Sequence, residues 1–170
     1  SGIFEYGRNI STAFFLIRSL FLPNELNEFI SENILKSGIE ELNIFENCKE
    51  DIKDFSDHRL AIMYLEIKYY LCSKLLRDAD WASMSHSVEL RTPFVDWSYF
   101  NKIIPLLKSD KKINKNKMFH CFKEKLPNEL LKRKKTGFSI PHEKFLKEYS
   151  VKRKFPNPLR DWSMLSYNMY

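Results

Sequence analysis

LLRDADWASMSHSVELRTPFVD, residues 75–96, is the stretch that decides the fold. It reads as a helix, an extended corner and a second helix. Thr92 precedes a proline and is therefore pushed toward extended backbone geometry, so we expect the first helix to end near Glu89 to Arg91. Asp96 stands at the N-cap position before an apolar pattern of helical period. Small side chains three and four residues apart predict tight packing of the first helix; they are Ala79, Ala82, Ser83 and Ser87.

The remainder of the 170 residues predicts a mainly α protein. The hydrophobic fraction is 44%, which argues against disorder, and apolar residues recur at helical spacing rather than as short strands punctuated by glycine. A helix over residues 11–22 should end at Pro23. A second helix should begin there and stop at Gly38.

Two further segments follow. Residues 40–55 are acidic and predict a loop or a short helix. Residues 57–74 predict a long helix, whose apolar period suggests burial of six side chains: Leu60, Met63, Tyr64, Ile67, Tyr70 and Leu71.

Ten residues of the decisive stretch fit one spaced pattern, D-x-x-S-M-x-H-S-x-E-x-R-x-P-F-x-D. They are Asp80, Ser83, Met84, His86, Ser87, Glu89, Arg91, Pro93, Phe94 and Asp96. The pattern resembles the C-terminal part of the synthetase domain of the asparagine synthetases, and the resemblance extends over about residues 64–146. It implies the helical C-terminal portion of an adenine nucleotide α-hydrolase-type domain. In that family the residues corresponding to Glu89 and Arg91 are mainly structural.

The resemblance also implies a chemistry for KRKKTGFSIP, residues 132–141. Lys135 matches the lysine that meets the phosphates of ATP, and Arg133, Thr136 and Gly137 form its neighbourhood. A compact ammonium suits that task because it can neutralise charge on a phosphate oxygen. The implied activity is that of an ATP-dependent carbon–nitrogen ligase, an amidotransferase of asparagine biosynthesis. ATP adenylates a carboxylate, and ammonia from glutamine then displaces AMP.

Glycine is scarce for a nucleotide site. A phosphate-binding loop uses clustered glycines, and the four glycines of this chain lie more than three residues apart. The Ser-Gly-Gly-x-Asp-Ser loop of the family is not among residues 1–170. We therefore expect one mostly helical domain over residues 1–170, a fragment of a larger synthetase domain that is inactive alone and binds no cofactor alone.

In the complete enzyme, ATP and Mg²⁺ are implied. The N-terminal glutaminase and nucleotide-binding regions would come from elsewhere in the protein or from a partner chain, and a homodimer is compatible with the sequence.

Two other function classes remain open. The chain could be a non-catalytic partner or packing subunit of such an enzyme. Alternatively, its net charge of +6 and its lysine clusters suit a helical domain that binds anions or nucleic acid. Nucleic acid is disfavoured, because aromatic residues do not interleave with the basic runs. A metal site is not predicted, since His58, His86, His120 and Cys121 lack zinc-ligand spacing.

Cysteine usage predicts a reducing compartment. Three widely spaced cysteines favour free buried thiols over disulfides. The first residues lack the features of a signal peptide, and the apolar stretch 13–22 is short and contains Arg18. We expect a cytoplasmic protein without a membrane segment.

Overall fold

The computed structural model describes residues 2–122, 124–134 and 140–169, and that part of the chain contains helices and no strand. The prediction of a mainly α fold is confirmed. The α-helices are α1 Gly2–Tyr6, α2 Ile10–Arg18, α3 Pro23–Leu26, α4 Glu32–Leu42, α5 Ile44–Asp51, α6 His58–Leu65, α7 Arg77–Met84, α8 Trp97–Ser109, α9 Lys115–Cys121, α10 Asn128–Lys132, α11 His142–Glu148 and α12 Pro158–Met169. A π-helix, Glu66–Leu76, joins α6 to α7, and a 3₁₀ turn, Pro93–Val95, precedes α8.

The chain divides into two compact units. The main unit combines Ser1–Ala82 with Pro141–Tyr170, and the second unit is Ser83–Ile140. The prediction of a single domain over residues 1–170 stays a prediction. The chain leaves the main unit within α7, after Ala82, and returns to it at Pro141, so two distant stretches of sequence build one packed body.

The core of the main unit lies where α2, α5 and α6 meet. Phe14, Cys48 and Leu65 are buried there, and Ile10 and Tyr69 pack against them. An aromatic group adjoins α1, with the rings of Tyr6, Phe15 and Phe45 in mutual contact. These contacts fix the helices that precede the signature stretch.

A polar network borders this core. Asp51 accepts hydrogen bonds from Lys68 Nζ at 2.6 Å and from the Tyr69 hydroxyl at 2.7 Å. Burial acts to raise the pKa of Asp51, but these two hydrogen bonds outweigh it and hold that pKa below its usual value. Burial also raises the pKa of the Cys48 thiol, which keeps it protonated and unreactive.

The C-terminal part of the main unit is organised by Asp161. Its carboxylate is 3% exposed, and it accepts hydrogen bonds from Arg153 Nε at 3.0 Å and from the backbone N–H of Lys154 at 2.8 Å. Arg153 also pairs with Glu143 of α11 at 3.1 Å. Above this network the Phe145 ring of α11 packs on the Trp162 ring of α12. The loop between the two helices is therefore held by charge-assisted hydrogen bonds.

Residues near α3 bind this C-terminal part. Glu25 pairs with Arg160 at 2.6 Å, and the Arg160 guanidinium lies 4.4 Å from the Phe21 ring centroid and 4.6 Å from that of Phe155. The Arg160 hydrogen bond, with a second from the Leu22 N–H, lowers the pKa of Glu25. The short helix α3 is thus a docking element for α12.

The structure corrects the predicted stop at Gly38. Gly38 lies inside α4, and that helix ends at Leu42, followed by the C-cap Asn43, whose φ of 43° is left-handed. The helix continues past Gly38 because Leu35 and Ile39 beside it are partly covered and hold its register. The acidic segment 40–55, predicted as a loop or a short helix, contains the end of α4 and all of α5.

The helix predicted over residues 57–74 continues to Met84, as α6, a π-helix and α7. Its predicted burial pattern also needs correction. The middle of this helical segment is a π-helix, in which Tyr69 packs against the core. Tyr64, predicted as buried, is exposed. The prediction of three buried thiols is also wrong, because Cys72 and Cys121 are exposed.

We predict that Asp161→Ala destabilises the main unit by about 2–4 kcal/mol, because Arg153 and the partly buried backbone N–H groups of Lys154 and Phe155 lose their acceptor. Urea unfolding followed by circular dichroism measures this. Asp78→Ala is the matched control: the Asp78 side chain is about half exposed, so a change within ~0.5 kcal/mol is expected. Equal effects of the two substitutions would contradict the role given to Asp161.

Candidate functional site

The signature stretch begins on α7 and leaves it through a left-handed turn. Val88 N–H bonds to Ser83 C=O at 3.1 Å, and Ser87 N–H bonds to Met84 C=O at 2.9 Å, with Ser87 at φ 57°. This is the Schellman arrangement, in which a left-handed residue closes the helix. The helix therefore ends at Met84, earlier than the predicted Glu89 to Arg91. A serine in the usual glycine position gave the sequence no recognisable stop signal.

Beyond the turn, Glu89 and Arg91 form a two-point ion pair. Arg91 Nε donates to Glu89 Oε1 at 3.2 Å, and a terminal guanidinium nitrogen donates to Oε2 at 3.1 Å. The two side chains thus form a hydrogen-bonded corner. It is an exposed one, with the two side chains 69% and 82% accessible. Such a pair orients the guanidinium but contributes little stability.

The corner closes on the next helix as the sequence predicts. Pro93 opens the 3₁₀ turn, and Asp96 Oδ1 accepts the Tyr99 N–H at 2.9 Å, which makes Asp96 the N-cap of α8. An open cavity of about 770 Å³ lies against this corner, lined by Arg91, Thr92, Pro93, Val95 and Asp96. Arg91, Thr92 and Asp96 are the polar residues among those that line it. Thr92 thus lines the cavity, although the sequence pattern gives this position no role.

The other predicted structural residues lie elsewhere. Asp80, Ser83 and Met84 are on α7 and do not line this cavity. The small residues predicted to share one tightly packed helix face do not form such a face. Ala79 and Ser83 are partly buried, Ala82 is exposed, and Ser87 lies beyond the helix end at Met84.

The basic loop is described only at its start. Lys132 ends α10, and Arg133 is its C-cap with an extended backbone; both side chains are exposed. Lys135, Thr136 and Gly137 lie outside the described residues, so their predicted roles stay predictions.

Large apolar side chains along the signature are exposed, which the sequence pattern did not reveal. They are Met84, Val88, Leu90, Phe94, Val95 and Trp97, and Trp97 reaches 72% exposure. Soluble proteins rarely leave so many large apolar groups on one short segment without a partner surface. The signal in the sequence was the alternation of apolar residues with Ser87, Glu89 and Arg91, which is typical of a strand-like segment with one covered face.

The donor groups fit an anion better than a metal ion. Among the described residues, no group of three His, Cys, Asp or Glu side chains could hold a metal ion. The cavity has one carboxylate, Asp96, and its Oδ1 already accepts a backbone N–H. Any Mg²⁺ of the implied reaction would therefore be coordinated mainly by groups other than these. The described helices include none long and apolar enough to cross a membrane.

Comparison with known proteins decides the family. The profile described as "Asparagine synthase" matches residues 21–166, most of the chain. The chain belongs to the asparagine synthase family. It is similar to "Asparagine synthetase [glutamine-hydrolyzing] 1" of Bacillus subtilis (strain 168), with 33% identity over 89 residues. That match covers 51% of this chain and 14% of the relative. No solved structure matches significantly.

Membership in the asparagine synthase family confirms the resemblance read from the signature. It also accounts for the helical architecture, because the matched region includes α4 to α11 and both the signature and the basic loop. The chain covers only a small share of its relative's length, so the activity of a whole enzyme is a matter for proposal.

We predict a coupling free energy below ~1 kcal/mol between Glu89 and Arg91 in this chain, since both side chains are exposed and water screens the pair. A double-mutant cycle of Glu89→Gln and Arg91→Met, read by urea unfolding, gives the value. A coupling above ~2 kcal/mol would contradict the exposed geometry and would indicate a buried structural pair.

Proposed function

We propose that this chain is the C-terminal helical region of an asparagine-synthetase-like, ATP-dependent amidoligase. In the complete enzyme a substrate carboxylate is adenylated by ATP, and ammonia released from glutamine displaces AMP to give an amide. The signature corner is the observation that carries the proposal. It places Arg91, Thr92 and Asp96 around one open cavity in a chain of the asparagine synthase family.

Charge in the second unit supports an anionic ligand. Residues 83–140 contain thirteen Lys and Arg residues against five Asp and Glu residues, a formal net charge of +8. The potential of such a unit attracts polyphosphate. The Glu89 carboxylate binds the Arg91 guanidinium beside the cavity, where the guanidinium can also donate to a phosphate or carboxylate that enters it.

Lys135 has the catalytic role in this proposal. Its ammonium neutralises charge that develops on the phosphate oxygens as pyrophosphate leaves. Arg133 and Lys134 precede it in the sequence, and Thr136 and Gly137 follow it. Lysine rather than arginine suits this position, since a point charge on a flexible stem can follow the leaving group.

The exposed apolar residues of the signature support a chain that is completed by other surfaces. Phe94, Trp97 and Leu90 present apolar area that the glutaminase or nucleotide-binding regions, or a partner chain, would cover. The same observation fits the alternative of a non-catalytic packing subunit. The two differ in whether Lys135 affects turnover.

The charge of +8 also favours a second candidate function, a basic helical domain that binds nucleic acid or other polyanions. In that case Lys111, Lys112 and Lys134 would matter as much as Lys135. Affinity would also fall steeply with salt and would not depend on one lysine.

We predict that Lys135→Ala lowers turnover by on the order of a hundred-fold or more in the complete enzyme that contains this chain, with little effect on folding. Pyrophosphate release under saturating ATP is the measurement. Lys134→Ala is the matched control, with the same charge removed one residue away, and should change turnover only a few-fold.

Near-normal pyrophosphate release by the Lys135→Ala enzyme would defeat the catalytic role. Equal, modest losses for Lys111→Ala, Lys112→Ala and Lys134→Ala in binding RNA, with a reduced salt dependence, would instead favour the polyanion-binding function.

A further inference from the structure

The helical segment from His58 to Met84 changes type in its middle, where the eleven residues Glu66–Leu76 form a π-helix. In a π-helix each backbone N–H bonds to the carbonyl five residues earlier, whereas the α-helix uses the carbonyl four residues earlier. π-Helices occur mostly as single turns inside α-helices, and often at functional sites. A π-helix of this length therefore requires contacts that favour it over the α-helix.

The amino-acid sequence of this segment leaves the α-helix accessible. EIKYYLCSKLL contains neither glycine nor proline, and the chain is α-helical on both sides of it, in α6 and α7. Leucine and lysine supply five of the eleven residues, and both are good α-helix formers. The same backbone can thus form either helix type, and side-chain contacts select between them.

Ser73 makes a hydrogen bond that is specific to the π-helix. Its Oγ donates to the Lys68 carbonyl, five residues earlier, at 2.9 Å. A serine hydroxyl in an α-helix reaches back three or four residues instead. Ser166 of α12 does so, since its Oγ donates to the Trp162 carbonyl at 2.9 Å. In an α-helical register Ser73 would lie over the Tyr69 carbonyl, and its bond to Lys68 would be lost.

The first turn of the π-helix is attached to two other helices of the main unit. Asp51 of α5 accepts hydrogen bonds from Lys68 Nζ at 2.6 Å and from the Tyr69 hydroxyl at 2.7 Å. Arg18 of α2 donates from Nε to the Glu66 carboxylate at 2.9 Å. These contacts fix the near end of the π-helix, so a change of helix type turns the residues that follow.

The far half of the π-helix is open to solvent and leads directly into α7. Residues 72–75 are exposed, so a rearrangement there disturbs little packing. The two helix types have different numbers of residues per turn, so a change from one to the other rotates α7 about the helix axis. Asp80, the first residue of the signature pattern, lies on α7. The register of the π-helix therefore sets the direction in which α7 presents Asp80.

We propose that Glu66–Leu76 is a two-register element, held as a π-helix by the Ser73 hydroxyl and turned together with α7 when that bond is lost. Ser73 is a positioning residue, which acts through the direction of α7 and of Asp80. The second state is the α-helical register, and the segment stays helical in both. The proposal uses neither ATP nor Lys135, so it stands or falls independently of the ligase function.

Scalar couplings through hydrogen bonds, measured by NMR on the purified chain, identify the carbonyl that each amide binds. We expect the Ser73 N–H to couple to the Lys68 carbonyl, five residues earlier. Ser73→Ala should shift the ratio of the two registers toward the α-helix by roughly two- to tenfold, the effect of one lost hydrogen bond. The coupling of the residue 73 amide to Lys68 should weaken, and a coupling to the Tyr69 carbonyl should appear.

Two further variants separate the register from a general loss of stability. Ser73→Thr keeps the hydroxyl and should retain the coupling to Lys68. Ser166→Ala removes the corresponding hydroxyl bond of α12 and should leave residues 66–76 unchanged. Circular dichroism should show the same helix content in all three variants. A Ser73 N–H coupled to Tyr69 in the unmodified chain, an undiminished coupling to Lys68 in Ser73→Ala, or equal effects of Ser73→Ala and Ser166→Ala would overturn the proposal.

Discussion

The fold depends on one buried carboxylate, that of Asp161. It binds the Arg153 guanidinium and the backbone of the loop that joins α11 to α12, and Arg160 in the same helix binds Glu25 and two aromatic rings near α3. These contacts fasten the returning C-terminal stretch to the N-terminal helices. The second unit, residues 83–140, is inserted in the sequence between the two segments of the main unit. It contains the signature corner and the basic loop.

Sequence reasoning succeeded where a residue acts through its immediate neighbours. Asp96 capping α8 and Pro23 opening α3 follow from local backbone chemistry. Thr92, which was expected to be extended, instead has φ −120° and ψ 78°, outside the extended region. Sequence reasoning failed where the determinant was not local. Gly38 looked like a helix end, but the turn that ends α4 uses a left-handed Asn43, and the turn that ends α7 uses Ser87. The sequence pattern also did not reveal the π-helix Glu66–Leu76.

The candidate site, too, was predicted from the sequence only in part. The spacing from Asp80 to Asp96 was enough to recognise the asparagine synthase family, which the match over residues 21–166 bears out. It did not reveal that the Glu89–Arg91 pair is exposed, that Thr92 shares its cavity, or that Phe94 and Trp97 are uncovered. Exposure depends on which other surfaces are present, and a pattern of residue types carries no such information. An open corner with a basic neighbourhood is consistent with a region that supplies part of a nucleotide site.

That claim is tested most directly by calorimetric titration of the purified chain with ATP and Mg²⁺. If the chain contributes an anion-binding corner and a loop lysine without clustered glycines to hold the phosphates, binding should be weaker than roughly 10 μM and should fade as salt is raised to about 300 mM. A saturable site tighter than roughly 10 μM that persists at that salt concentration would contradict the account, because the chain would then hold a complete nucleotide site of its own.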